Sequence, residues 1–160
     1  MNAAGFHGAL LGLAGSTVAV GALWDVYRYR IPNVLTFTAM GIGLAYHAGL
    51  GPRAQGLVFS LSGLTLLLVI GFGLFSRGWL GAGDAKLLGA VGALLGPQVG
   101  LSAYLYASAF GGLWALAWVR LIAPGRPWAA GLREARGRPI PYGFAIAAGT
   151  AAAIAFPLLG

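Results

Sequence analysis

The 33 residues from Leu87 to Val119 read LLGAVGALLGPQVGLSAYLYASAFGGLWALAWV and carry no charge. How this run is divided decides the fold. As one straight helix it would extend about 50 Å at 1.5 Å per residue, well beyond a bilayer core of about 30 Å. Gly96-Pro97-Gln98 lies inside it and is a turn signal. The run is therefore predicted as two helices, about 83–96 and 98–122. Outward from it, residues 1–24, 31–52, 54–76 and 139–160 are also free of charge. Such stretches are long enough to span a bilayer, which takes roughly 20 apolar residues as helix. They predict helices near 5–24, 34–51, 55–75 and 141–159. The expected fold is an all-α integral membrane protein: one transmembrane domain over residues 1–160 with six transmembrane helices. Its only sizeable polar segment is a Pro/Gly/Arg-rich loop at 123–140, too short to be a domain.

Composition agrees with this class. Of the 160 residues, 59% are hydrophobic and only 8% charged, where ordinary soluble domains carry about 25% charged residues. Mean hydropathy is +0.83. A disordered chain, a coiled coil and a typical soluble enzyme are excluded. The absence of Cys excludes a disulfide framework, a zinc ribbon and a thiol nucleophile. A net charge of +7 often signals nucleic acid, but here the charge positions record topology, and no nucleic-acid partner is expected. Cytoplasmic loops collect Lys and Arg. With six helices and the N-terminus outside, nine of the ten basic residues fall inside and only Arg53 outside. With five helices the split becomes four against six. The six-helix, N-out arrangement is preferred. The first 24 residues end in small residues but lack the basic start of a signal peptide, so a retained helix is expected. Gly8/Gly12 and Gly89, Gly92 and Gly96 have the spacing of close helix packing in lipid.

Two acids in the helical part carry the chemistry. Ionisable groups at membrane depth are expensive and are functional candidates. Asp25 opens Asp25-Val26-Tyr27-Arg28-Tyr29-Arg30-Ile31-Pro32-Asn33, at the inner end of helix 1. Asp84 lies in Gly81-Ala82-Gly83-Asp84-Ala85-Lys86-Leu87, at the start of helix 4. The preferred topology puts both on the cytoplasmic face. Gly81 and Gly83 leave bare backbone beside Asp84, which suits an extended peptide lying across it. The plainer alternative is a loop in which Asp84 caps helix 4 and Lys86 anchors it. Ile31-Pro32-Asn33 reads as a turn and N-cap, and Arg28 and Arg30 as interfacial anchors. None of this explains an acid at the end of helix 1, where the macrodipole disfavours it.

Taken together, and in this order, the two motifs resemble the prepilin peptidases (type IV leader peptidases), intramembrane aspartic proteases of the Gly-x-Gly-Asp class. The resemblance covers Asp25 to Gly96 closely and returns at Pro141-Tyr142-Gly143-Phe144-Ala145-Ile146-Ala147. The short length and the run Arg28-x-Arg30-Ile31-Pro32-Asn33 look like the small branch that serves Flp (Tad) pili. The resemblance implies catalytic roles for Asp25 and Asp84. It implies a substrate that is a prepilin: a short cytoplasmic leader attached to an apolar helix, in a bacterial-type inner membrane. Longer members carry paired-Cys motifs and also methylate the new N-terminus. Without Cys, this chain is expected to lack that second activity.

Two neighbouring carboxyls cannot both ionise easily, so one keeps a proton while the other activates water. No metal or cofactor is expected. Helix-end fields place the charge on Asp84, beside Lys86 at the positive end of helix 4, and the proton on Asp25, at the negative end of helix 1. Gly81, Gly83 and Lys86 are candidate substrate-positioning residues. His7 and His47 are expected to be interfacial or packed, and Glu134 to pair within its own arginine-rich loop. Anionic lipid is the expected partner of the arginines. Other classes are a small proton- or ion-coupled transporter, since intramembrane Asp also marks ion paths, and a structural subunit of a membrane complex.

Overall fold

The computed structural model describes residues 3–28, 30–50, 53–135, 142–156 and 158–159. Among these residues are six helices: α1 (Ala3–Arg28), α2 (Asn33–Leu50), α3 (Arg53–Ser76), α4 (Ala82–Ile122), α5 (Trp128–Ala135) and α6 (Gly143–Ala155). No strand occurs among the described residues. Three of the helices, over Gly8–Arg28, Gly56–Ser76 and Ala82–Ile122, are long and apolar enough to cross a membrane. α6 is apolar but shorter.

α4 is not straight. Gly96 has φ 77° and ψ −177°, in the left-handed half of conformational space that only glycine enters freely. Pro97 follows it and has no N–H to give. The two arms fold back on each other. A Cβ on Gly100 would lie 3.3 Å from the Cα of Gly92, whereas eight residues of straight helix would separate these positions by about 12 Å. Leu88 and Tyr104 likewise line one cavity. Both pairs are symmetric about Gly96, as in a hairpin.

The break leaves carbonyls at the end of the first arm without helical donors. The Ala93 carbonyl would normally accept from residue 97, which is Pro97. Ser60 on α3 replaces that donor, its Oγ donating to the Ala93 carbonyl at 2.6 Å. His47 on α2 serves the next one, with Nε2 3.0 Å from the Leu94 carbonyl. A carbonyl only accepts, so this nitrogen carries the hydrogen. His47 is thus a packed residue tied to the hairpin. The side chain of His7 lies outside the described residues. Ser60→Ala is expected to destabilise the fold by about 1–2 kcal/mol, because a buried carbonyl loses its donor. Thermal unfolding in detergent checks this.

α4 is the hub, packing on α1, α2, α3, α5 and α6. Lipid tails are as apolar as Leu, so close packing rather than hydrophobic transfer holds such helices together. The buried core is accordingly rich in small side chains, including Ala85, Ala90, Ala93, Ala103, Ala107 and Ala145, with Leu67, Leu87 and Leu94 between them. One very close approach joins α3 to α4. A Cβ on Gly63 would collide with the Gly92 carbonyl, and one on Gly92 with the Gly63 carbonyl. Gly8 and Gly12 differ from this expectation of close packing: a Cβ added at either would meet nothing within 4 Å among the described residues outside its own helix backbone.

Three boundaries depart from the sequence reading. α1 continues to Arg28, which places Asp25 inside the helix rather than at its end. α6 is shorter than the 141–159 expected. The segment 123–140 is not only loop, since α5 forms within it. α5 seats Gly131 against Val119 of α4 and Ala123 just beyond its end. It exposes Trp128 and Leu132 one turn apart, and the Arg120 guanidinium lies 3.8 Å from the Trp128 ring centre.

Candidate active site

Asp25 and Asp84 meet at one cavity of about 660 Å³. Its wall comes from three places: Trp24 and Asp25 on α1, Arg30 to Asn33 in the turn before α2, and Gly81 to Asp84 with Lys86 at the start of α4. Both carboxyl residues are buried, each only 7% exposed. They lie close enough for the charge of Asp25 to act on Asp84. A space of this size takes a few residues of extended peptide.

Asp84 is the third residue of α4, counted from Gly81 as N-cap. Its carboxyl turns back to the Gly81 N–H, the reach an acid makes from this position in a capping box. Gly81 permits that turn, because a Cβ there would stand 2.8 Å from Asp84 Oδ2. The other oxygen, Oδ1, is buried and has no hydrogen-bond partner among the described residues. Among the described residues only this side-chain oxygen and the indole nitrogens of Trp114 and Trp118 are buried without a partner, and an orphaned carboxyl oxygen, the costliest of the three, is a mark of a working site.

Gly83 has a different task from the one its bareness suggests. A Cβ on it would lie 3.2 Å from Ile31 Cβ and 3.3 Å from the Ile31 nitrogen. Its open side is therefore covered by the turn that follows α1, and this contact brings the two motifs together. Lys86 also lines the cavity: its Nζ donates to Asn33 Oδ1 at 2.9 Å and lies 5.5 Å from the Phe37 ring centre. It ties the first turn of α4 to the start of α2.

Asp25 has the partner that α1 does not provide. The backbone N–H of Gly143 donates to its Oδ2 at 3.0 Å, in a buried contact between residues 118 positions apart. Gly143 is the first residue of α6. Its N–H is one of the four that a helix leaves unpaired at its start, and the positive end of α6 faces the acid. This accounts for an acid near the end of α1. It also removes the ground for placing the charge on Asp84 and the proton on Asp25: each carboxyl sits at a helix N-terminus, Asp84 on α4 and Asp25 on α6. Helix-end fields no longer separate the two.

Gly143 is the participant to which the sequence reading gave no role. The stretch around it stood out only by resemblance, and no local pattern predicts a contact with Asp25. Trp24 was also passed over; it stands half-exposed at the cavity edge. The side chain of Glu134 lies outside the described residues. Among the described residues no group of three or more His, Cys, Asp or Glu is placed to hold a metal ion.

Comparison with curated proteins and with solved structures returned no match for this chain. A family model does match. Residues 12–116 fit the model described as the type IV leader peptidase family, a span that holds Asp25, Asp84, and every other residue of the cavity wall. By that match over most of its length, the chain belongs to the type IV leader peptidase family.

Proposed function

We propose that the protein is a membrane-embedded aspartic endopeptidase that removes the short cytoplasmic leader from type IV prepilins of the Flp (Tad) kind, with Asp25 and Asp84 as its catalytic pair. One observation carries this reading: two buried acids from distant parts of the chain line a single peptide-sized cavity. The family supports leader peptidase activity. The acid pair supplies the chemistry.

In the proposed reaction the pair shares one proton, because two adjacent carboxylates repel each other. The ionised carboxyl takes a proton from water, and the water oxygen bonds to the scissile carbonyl carbon. The protonated carboxyl gives its proton to the carbonyl oxygen. The tetrahedral intermediate collapses when the C–N bond breaks, the leaving nitrogen takes up the proton drawn from water, and one hydroxyl of the diol returns its proton to the carboxyl that had protonated the carbonyl oxygen. A new carboxyl and a new amine result, with no acyl-enzyme. The orphaned Asp84 Oδ1 is a free acceptor for this water. Gly81, Gly83 and Lys86 act by position: they set the Asp84 rotamer, join the two motifs and tie α4 to α2.

The reading includes six membrane crossings, with the N-terminus outside, the α4 hairpin contributing two and the acids facing the cytoplasm of the inner membrane. α5 lies at the inner surface, where Trp128 and Leu132 meet lipid and the nearby arginines meet anionic headgroups. The lack of native Cys makes this simple to test. Arg53→Cys is expected to react with a membrane-impermeant maleimide in intact cells. Arg133→Cys is expected to react only after permeabilisation. The reverse pattern overturns the topology.

Methyl transfer to the new N-terminus is not part of the proposed activity, consistent with the absence of paired-Cys motifs from these 160 residues. The whole reading is tested by co-expression with an Flp-type prepilin. Shortening of the prepilin by its leader is expected. An unprocessed prepilin beside abundant protein contradicts it.

A further inference from the structure

We propose that Tyr142 and Gly143 form a clamp that orients Asp25, making Tyr142 a positioning residue for the proposed peptidase reaction. Three contacts form a continuous chain from α4 through the start of α6 to α1. Tyr142 Oη donates to the Ala107 carbonyl on the second arm of α4 at 3.2 Å. The Tyr142 ring rests on the bare flank of Gly111, where a Cβ would come 2.6 Å from its hydroxyl oxygen. The next residue, Gly143, donates its N–H to Asp25 Oδ2.

The clamp has little slack. A Cβ on Gly143 would lie 3.0 Å from Asp25 Cβ, 3.1 Å from its Oδ2 and 3.3 Å from Ala22 Cα. A side chain there would require Asp25 or α1 to give by a few tenths of an ångström, enough to disturb the bond to the acid. Tyr142 is not part of the wall of the acid cavity; it lines a separate one with Leu88, Tyr104 and Ser108. It therefore acts on Asp25 through Gly143 and does not touch substrate. The same holds for Gly111, whose contact is with the Tyr142 ring. A carboxyl misplaced by a fraction of an ångström loses rate, because the reacting atoms must be held in near-attack geometry.

The test has two readouts, only one of which needs cleavage. The Gly143 N–H has no acceptor within its own helix, so its protection from hydrogen exchange reports the bond to Asp25. In the intact protein in detergent, labelled with ¹⁵N-glycine, this amide is expected to exchange about tenfold faster in Tyr142→Phe, Gly111→Ala and Asp25→Ala than in wild type. In the prepilin assay, Tyr142→Phe and Gly111→Ala are each expected to lower kcat about tenfold with KM changed less than about twofold. The double variant is expected to be no worse than either single one, since both act through one ring. Tyr142→Phe loses one oxygen and keeps its ring, so folding is retained and equal accumulation in membranes verifies that. A Gly143 amide that exchanges alike in wild type and Asp25→Ala overturns the clamp. So does a Tyr142→Phe variant with wild-type kcat, or one in which KM alone rises. The proposal rests on the peptidase reading for its kinetic part only. If exchange follows the expected pattern and wild type cleaves no prepilin, the clamp stands and the peptidase reading falls.

Discussion

Asp25→Asn and Asp84→Asn are each expected to lower prepilin cleavage by about 10⁴-fold, and the double variant to fall little further. Asparagine has the shape of aspartate but neither takes nor gives a proton at neutral pH. Each substitution therefore removes half of a device that works only as a pair. The backbone supports survive: Gly143 N–H can still donate to the side-chain oxygen at 25, and Gly81 can do so at 84. Equal accumulation of the variants separates loss of chemistry from loss of fold. A residual activity within about tenfold of wild type in either variant would remove that residue from the reaction.

The largest effect on stability is expected at the crossing of α3 and α4. Gly92→Ala places a methyl group inside the Gly63 carbonyl, and the obstacle is backbone rather than a flexible side chain. The helices must separate along this close contact. A loss of about 3 kcal/mol or more is expected, of the size seen when a packed interior is overfilled. Gly12→Ala is the matched control. A Cβ added at Gly12 would meet nothing within 4 Å among the described residues outside its own helix backbone, and Ala is the better helix former by about 1 kcal/mol. The pair is compared by thermal unfolding in the same detergent. Equal midpoints would show that the α3–α4 approach is looser than described here.

These two glycines also show where sequence reading ends. Gly8/Gly12 and Gly89/Gly92 share a spacing, and spacing alone assigns both to helix packing. Only the partner distinguishes them: Gly63 faces Gly92, and among the described residues nothing faces Gly12. The hairpin in α4 was legible because its causes are local. Gly96 supplies the left-handed turn and Pro97 lacks a donor, side by side in the chain. That Asp25 and Asp84 are functional acids on one face was legible because membrane acids are rare and both motifs fall on one side of the predicted topology; their pairing rested on the family resemblance. α5 was missed because its eight residues follow Pro127 inside a Pro/Gly/Arg-rich stretch and make too short a run to stand out from loop, and their helix packs on α4. The support of Asp25 was missed for a physical reason as well. Its donor is a backbone N–H 118 residues away, and a backbone amide leaves no mark in sequence. Considering α1 alone therefore gave the wrong field at Asp25, because α6 supplies the opposite one.

The most direct measurement is cleavage in a defined system. The purified protein is reconstituted into liposomes with an Flp-type prepilin and no other protein, and the products are weighed by mass spectrometry. The account predicts two fragments whose masses sum to the prepilin plus one water, formed by wild type and by neither Asp25→Asn nor Asp84→Asn. An intact prepilin with wild type, or the same fragments at the wild-type rate with either variant, would contradict it.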